Sequence, residues 1–593
     1  MGNLYNKIVK HKFLLVLVEV ILLIICSFSL WYKIFLPGTY LFVAIVLSIL
    51  VAIQLPKKEC KTLLIIQIAL LGLFLRNVYY LYTNYAIIPF DDGNWDYALV
   101  KFFNEEGRAC IIRESGSSPV KLMEWYSQWP LLHIFAISLS QIMGIDAYYL
   151  ALIIPSIISV ISFLFVYLIV ENFRKVLNLH HTITPLSLLI YVVTAESLFW
   201  PSQFVHQNMG IMFVTIILYL FFRLQNGHNR KYVILALLFL VSVIITHSFT
   251  SFVIVNYLII FSFILFLWNF VELKKCKAGL FKPHLLAKLA NLSLVSFTFL
   301  FVWCQIYGSG IWSYVHQGIN RLVGILLGSK GFEYLPSHVT YPNVLVSHEI
   351  TMLLIFRDIA IYIPSICGFL FILFKMHNNY QRYTLICSVL AFGSLFTINN
   401  FIFRVEVFRA LAIFMPIICT LSALAYSQLF ANPSKMSYAL ILCIAVLVMA
   451  SFIGLWGHRF APIHLYTPSI KPVDVGERYN DFMRVSDFFT TRIPVDDYQL
   501  ILTDDVNPLT RLLSTKDYYK IQQLKLVDTL NLNSEDRILV CSFKDLFMYS
   551  YFAGKFSPID TTSEAETVKN TLNQRLTKLN LIFDDGKYRI WVS

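Results

Sequence analysis

The sequence predicts an α-helical polytopic membrane protein, with about 13 transmembrane helices followed by a C-terminal extracytoplasmic α/β domain. Three observations predict it. The chain is 58% hydrophobic and only 14% charged, with a mean hydropathy of +0.67. A soluble domain carries roughly 25% charged residues, so this chain lacks the charge to keep its surface in water. Its apolar residues fall in blocks long enough to cross a hydrocarbon core of about 30 Å, which takes about 20 residues of helix. Finally, the net charge of +12 sits mostly in short links between those blocks. That pattern marks cytoplasmic loops facing anionic lipid and argues against a nucleic-acid partner.

Spans are expected near 13–30, 39–56, 62–82, 147–170, 183–199, 208–223, 232–247, 249–270, 290–309, 356–374, 383–399, 408–428 and 437–456. The basic N-terminus before the first block resembles a signal peptide. No small-residue cleavage site follows, because Trp31, Tyr32 and Lys33 come next, so the block reads as an uncleaved span. Alternate links then carry the positive charge: Lys7, Lys10 and Lys12; Lys57, Lys58 and Lys61; Arg174 and Lys175; Arg223, Arg230 and Lys231. The series continues with Lys274, Lys275, Lys277, Lys282 and Lys288, then Lys375 and Arg382, then Lys435. This puts the N-terminus in the cytoplasm of a multi-pass cytoplasmic (plasma) membrane protein, and an odd number of spans puts the C-terminus outside. Glu19, in the middle of the first span, is costly in lipid and is expected to face another helix.

Three outer segments are long: 83–146, 310–355 and the tail from Gly457. The first is acidic, with Asp91, Asp92, Asp96, Glu105, Glu106, Glu114 and Glu124; the second is rich in glycine and aromatics. Long loops in compact proteins are usually functional, so chemistry is expected on that side. The chain divides into two N-terminal helices at 1–61, a transmembrane core at 62–456 and an extracytoplasmic domain at 457–593. In the last, 477–490 and 561–579 read as helices, and 499–503, 537–542 and 588–592 as strands, hence an α/β layer. The 10 cysteines are scattered and form no disulfide framework or CxxC metal knuckle.

The most informative stretch is Phe90-Asp91-Asp92-Gly93-Asn94-Trp95-Asp96-Tyr97-Ala98, opening an amphipathic helix that runs to Phe103. Farther on, Gln128-Trp129-Pro130-Leu131-Leu132 leads an apolar helix that ends at Gly144-Ile145. Counting that helix as a span would break the charge alternation, so it reads as an interfacial helix in the outer leaflet. An acidic pair after an early span, a helix carrying Tyr97-Ala98, a Trp-Pro-Leu-Leu helix and a long span closed by Arg174-Lys175 follow one another. That order resembles the GT-C superfamily of polytopic glycosyltransferases, which includes protein O-mannosyltransferases, aminoarabinose transferases and oligosaccharyltransferase catalytic subunits. The tail is similar to the outer domain of many prokaryotic members, through Glu477-Arg478-Tyr479, Leu500-Ile501-Leu502-Thr503-Asp504 and Leu581-Ile582-Phe583-Asp584-Asp585-Gly586 with Tyr588-Arg589-Ile590-Trp591. The two spans ahead of the one that leads into the acidic loop depart from the simplest family layout.

The resemblance implies transfer of a sugar from a polyprenyl-phosphate donor to a protein, lipid or polysaccharide acceptor outside the membrane. Such a donor is already activated. The enzyme then needs a carboxylate to deprotonate an acceptor hydroxyl or orient an amide, and cations to hold the leaving phosphate. Asp91 is the candidate carboxylate, with Asp92 second, and Arg404 and Arg409 are the candidate phosphate contacts, joined by Arg76 in the outer half of a span. Further candidates near the site are Asp96, Glu196, His206, His247, His348 and Glu349. No particular cofactor is called for, and a divalent cation, Mg or Mn, stays open. Some family members bind a divalent cation such as Mg or Mn, but the next outer loop, Ser197 to Asn208, lacks the Asp-x-Asp that would ligate it.

Each residue also has a plainer reading. An Asp pair can serve only as a helix cap. Arg404 and Arg409 can snorkel to lipid headgroups, Arg76 can pair with a loop carboxylate, and scattered histidines are more often structural. Two other classes compete. A transporter or flippase would show internal repeats and midplane charges, whereas here the ionisable residues gather at the outer surface. A non-catalytic scaffold explains the tail but leaves the acidic loop without a task.

Overall fold

A computed structural model of the chain describes residues 12–32, 37–55, 61–82, 91–109, 125–194, 197–198, 203–225, 230–276, 283–307, 309–327, 348–375, 380–398, 407–429, 443–444 and 446–447, and five strands between 500 and 592. The helices are α1 (Lys12–Trp31), α2 (Pro37–Gln54), α3 (Lys61–Tyr82), α4 (Asp91–Glu106), α5 (Leu131–Met143), α6 (Ala147–Val176), α7 (Ile183–Val193) and α8 (His206–Gln225). They continue with α9 (Arg230–Ile244), α10 (Ser248–Cys276), α11 (Pro283–Ile306), α12 (Ser309–Leu326), α13 (His348–Lys375), α14 (Tyr380–Ile398) and α15 (Val407–Leu429). Contacts divide the chain into two units, one holding 83–152, 340–347 and 456–593, the other holding the rest.

In the larger unit, six helices are long and apolar enough to cross a membrane: α6, α8, α10, α11, α13 and α15. This is a multi-pass membrane protein. Other expected spans correspond to the shorter apolar helices α1, α2, α3, α7, α9 and α14, while most of 437–456 lies outside the described residues. α8 and α15 are almost wholly enclosed, whereas α11 and α13 are mostly exposed. On α13 the exposed side chains Ile355, Ile359, Ile363, Ile366 and Leu370 recur every three or four residues, forming one apolar stripe. An apolar stripe turned outward along a span faces lipid rather than water.

Lipid supplies no hydrophobic drive for helices to pair, so small residues and interhelical hydrogen bonds do that work. α13 and α15 show both. Ser365 Oγ donates to the carbonyl of Ile418 at 2.7 Å, Ser422 Oγ to Ile361 at 2.6 Å and Tyr426 Oη to Ala360 at 2.6 Å. Gly368 allows the approach: a Cβ there would lie 2.0 Å from the Leu421 carbonyl oxygen. α15 also packs on α7, and α7 on α3, so the buried α7 joins the two ends of the bundle. α1 packs on α3 as well. Glu19 is buried there, with Gln67 of α3 as its neighbouring polar group, as expected for a carboxyl turned away from lipid.

The smaller unit contains α4, α5 and a mixed sheet. β1 (Leu500–Thr503), β2 (Ile521–Gln523), β3 (Ile538–Phe543), β4 (Asn580–Asp584) and β5 (Tyr588–Val592) run in the order β2-β1-β3-β5-β4. The β1–β2 and β1–β3 pairs are parallel and the others antiparallel. Three of these strands match the sequence expectation, and β2 and β4 were not anticipated. The helices expected at 477–490 and 561–579 lie outside the described residues.

Two differences stand out in the helical part. The segment 310–355 was expected as loop, yet its first part is α12. Its apolar residues are spread along one stripe instead of filling a block, so a search for spans passes over it. Within the expected span 183–199 the helix that starts at Ile183 ends at Val193, where Thr194 turns extended with ψ 136°.

Candidate active site

α4 begins at Asp91, so the two candidate carboxylates are its first two residues. Nothing further is described of their side chains.

One turn along α4, on the same face as Asp92, comes Asp96. It is fully buried, and its Oδ1 lies 2.8 Å from Nε2 of His133 on α5, which is also fully buried. The ring of Phe103 meets His133 edge-on at 5.6 Å, and Tyr97 meets Tyr148 edge-on at 5.1 Å. Pro130 precedes α5 and Gly144 ends it in the left-handed conformation (φ 66°), as the Trp-Pro-Leu-Leu and Gly-Ile signals predicted. Asp96 was a candidate for the site itself. Enclosed and bonded in this way, its carboxylate ties α4 to α5. His133 is a residue the sequence reading missed; its signal was a lone imidazole in the first turn of an apolar helix.

In the larger unit, Arg76 points at backbone rather than at a carboxylate. Its Nε and Nη2 both donate to the Ser197 carbonyl, at 3.1 and 3.0 Å, and its Cζ lies 5.5 Å from the centre of the Tyr191 ring. The guanidinium thus sits just past the C-terminal end of α7, where the dipole favours a cation. Ser197 Oγ donates in turn to the carbonyls of Tyr191 and Thr194.

His206 opens α8 and His247 precedes α10; both are buried, with ring centroids 4.7 Å apart. Thr250 donates its backbone N–H to His247 Nδ1 at 3.1 Å, and its Oγ1 lies 2.6 Å from the same nitrogen. Nδ1 therefore accepts, caps α10 and leaves the proton of the neutral ring on Nε2. Nε2 of Gln207, the next residue along α8, is buried with no hydrogen-bond partner among the described residues.

Among the described residues no three His, Cys, Asp or Glu side chains gather as a metal site. His247 commits one nitrogen to a helix cap, and Mg or Mn favours oxygen ligands that the histidine pair does not supply. Glu196 and Arg404 lie outside the described residues. Arg409 falls in the first turn of α15, and His348 and Glu349 open α13; only their backbone is described.

Sequence reasoning also missed Arg357 on α13. It is almost fully buried and donates from Nε and Nη2 to Oδ1 of Asp358, at 2.8 and 2.6 Å. The signal was an Arg-Asp pair inside an apolar run, since a charge at that depth needs a partner.

No protein-family model matches the sequence, and no curated protein sequence matches it. Solved structures do. The chain resembles the oligosaccharyltransferase from Archaeoglobus fulgidus in its apo form with a TM-score of 0.51, over 84% of this chain and 72% of that one, at 11% identity. The same enzyme tethered to an acceptor peptide gives 0.49, over 86% and 72%, at 12% identity. ArnT from Cupriavidus metallidurans gives 0.47, over 89% and 97%, at 8% identity. The first likeness identifies the fold: this chain shares the architecture of the archaeal oligosaccharyltransferase, one of the groups that the resemblance in its sequence named.

Proposed function

We propose that this protein is a membrane glycosyltransferase that moves a sugar from a polyprenyl-phosphate donor to an acceptor on the outer side of the cytoplasmic membrane. The observation that carries this reading is the fold shared with the archaeal oligosaccharyltransferase. It is supported by the acidic pair Asp91-Asp92, which opens the helix following α3.

In this reading Asp91 removes the proton from an acceptor hydroxyl, or orients an acceptor amide, as the acceptor oxygen or nitrogen attacks the anomeric carbon. Asp92 holds the acceptor. The bond from that carbon to the phosphate oxygen breaks, and Arg404 and Arg409 stabilise the charge left on the phosphate. Arg76, fixed on the Ser197 carbonyl, serves the scaffold. His133 and Asp96 keep α4 seated so that its first turn is presented in one orientation. The acceptor is a protein, a lipid or a polysaccharide, and the outer-facing C-terminal domain guides it.

Purified protein in liposomes, offered a panel of radiolabelled polyprenyl-phosphate sugars and each acceptor class, tests this reading. Consumption of one donor with the label appearing in an acceptor supports it. Movement of a labelled donor between leaflets with the sugar still attached would replace it with a flippase.

A further inference from the structure

α12 is built inside out. Residues 319, 322, 323 and 326 fall on one face of a helix, spaced three and four apart. A water-soluble protein would turn such an apolar face inward. Here Ile319, Leu322, Val323 and Leu326 are 53%, 38%, 45% and 76% exposed, while Arg321, Gly318 and Gly324 form the buried face against the bundle. The neighbours on that inner side are α10 and α11.

The outward face continues an existing surface. α11 is long and apolar enough to span, and it keeps Leu294, Phe297, Phe301, Val302 and Ile306 exposed. Along a span such an outward stripe faces lipid. Two residues, 307 and 308, separate α11 from α12, and aromatic contacts gather at the corner. Phe301 meets Trp312 edge-on at 5.5 Å, and Trp303 lies 4.7 Å from Tyr307. Trp and Tyr collect at membrane–water interfaces, where one end of the ring is dry and the other wet. On one flank of α12, exposed Asn320 donates from Nδ2 to Nε2 of exposed His316 at 2.9 Å. Polar groups on the flank of an apolar face are the pattern of a helix lying in the interface.

We propose that α12 is an in-plane membrane helix whose Ile319–Leu322–Val323–Leu326 face lies among the acyl chains of the leaflet at the Ile306 end of α11. By the charge alternation this is the outer leaflet. The proposal rests on the membrane-spanning fold and is independent of sugar transfer.

Photo-crosslinking in liposomes made with tritiated phosphatidylcholine tests it. A benzophenone amino acid is placed in the full-length protein at 319, 322 or 326, with 320 as the polar-flank comparison and 297 on α11 as the lipid-facing control. Lipid adducts from 319, 322 and 326 that match position 297 and exceed position 320 several-fold are expected. Lipid adducts from 297 alone would overturn the proposal. So would protein–protein adducts in place of lipid ones at 319, 322 and 326, which would put a second copy over this face.

Discussion

His133 places Nε2 2.8 Å from Oδ1 of Asp96, and neither side chain reaches solvent. A carboxylate only accepts, so the imidazole N–H donates, and α5 holds α4 by this bond one turn below Asp92. Removing the imidazole takes a donor from an enclosed charge. His133→Ala is expected to cost about 1.5–3 kcal/mol, the range for a hydrogen bond to a charged group. Asp96→Asn keeps an acceptor for the same N–H and is expected to cost about 1 kcal/mol. Thermal unfolding in detergent compares them; equal losses would contradict the pairing as the source of the effect.

Arg76 is expected to act in stability rather than in donor binding. Its Nε and Nη2 both donate to the Ser197 carbonyl, and a lysine cannot reproduce that fork. Arg76→Lys should lower stability by about 1.5–3 kcal/mol, the range for hydrogen bonds to charged groups. The KM for a lipid-linked donor should remain unchanged. A raised KM at unchanged Tm would reassign Arg76 to the donor phosphate.

Gly368 tests the bundle. An added methyl would meet the Leu421 carbonyl oxygen at 2.0 Å, and backbone in a packed helix cannot move aside as a side chain does. Gly368→Ala is expected to push α13 from α15 and cost about 1–3 kcal/mol or more. Loss of Tm and of yield from membranes reports it; a fully stable variant would contradict the close packing of these two helices.

Most of this architecture was legible in the sequence because lipid makes its demands locally. A span needs an apolar block, and charge marks its ends, so α6, α10 and α15 could be placed from composition alone. α5 was legible to the residue at its C-terminal end, because Gly144 adopts a conformation that other residues avoid. α12 escaped because its apolar groups form a stripe whose outward direction depends on α10 and α11. The partners of Arg76 and Asp96 escaped for a related reason. Ser197 lies 121 residues from Arg76 and His133 lies 37 from Asp96, and hydropathy carries no information about which distant polar group will accept a hydrogen bond. Of the candidate site, the acidic pair's place at a helix start was readable, whereas the partners of Asp96 and Arg76 were not.

Sugar transfer by the wild type beside Asp91→Asn and Asp92→Asn tests the central claim most directly. An acid in the first turn adds about 0.3–1 kcal/mol to stability, so both variants should remain folded, with Tm values near the wild type. A general base contributes about 10²–10⁴-fold, so turnover should fall by that order in at least one of them. Wild-type turnover in both folded variants would contradict an Asp91-Asp92 active site.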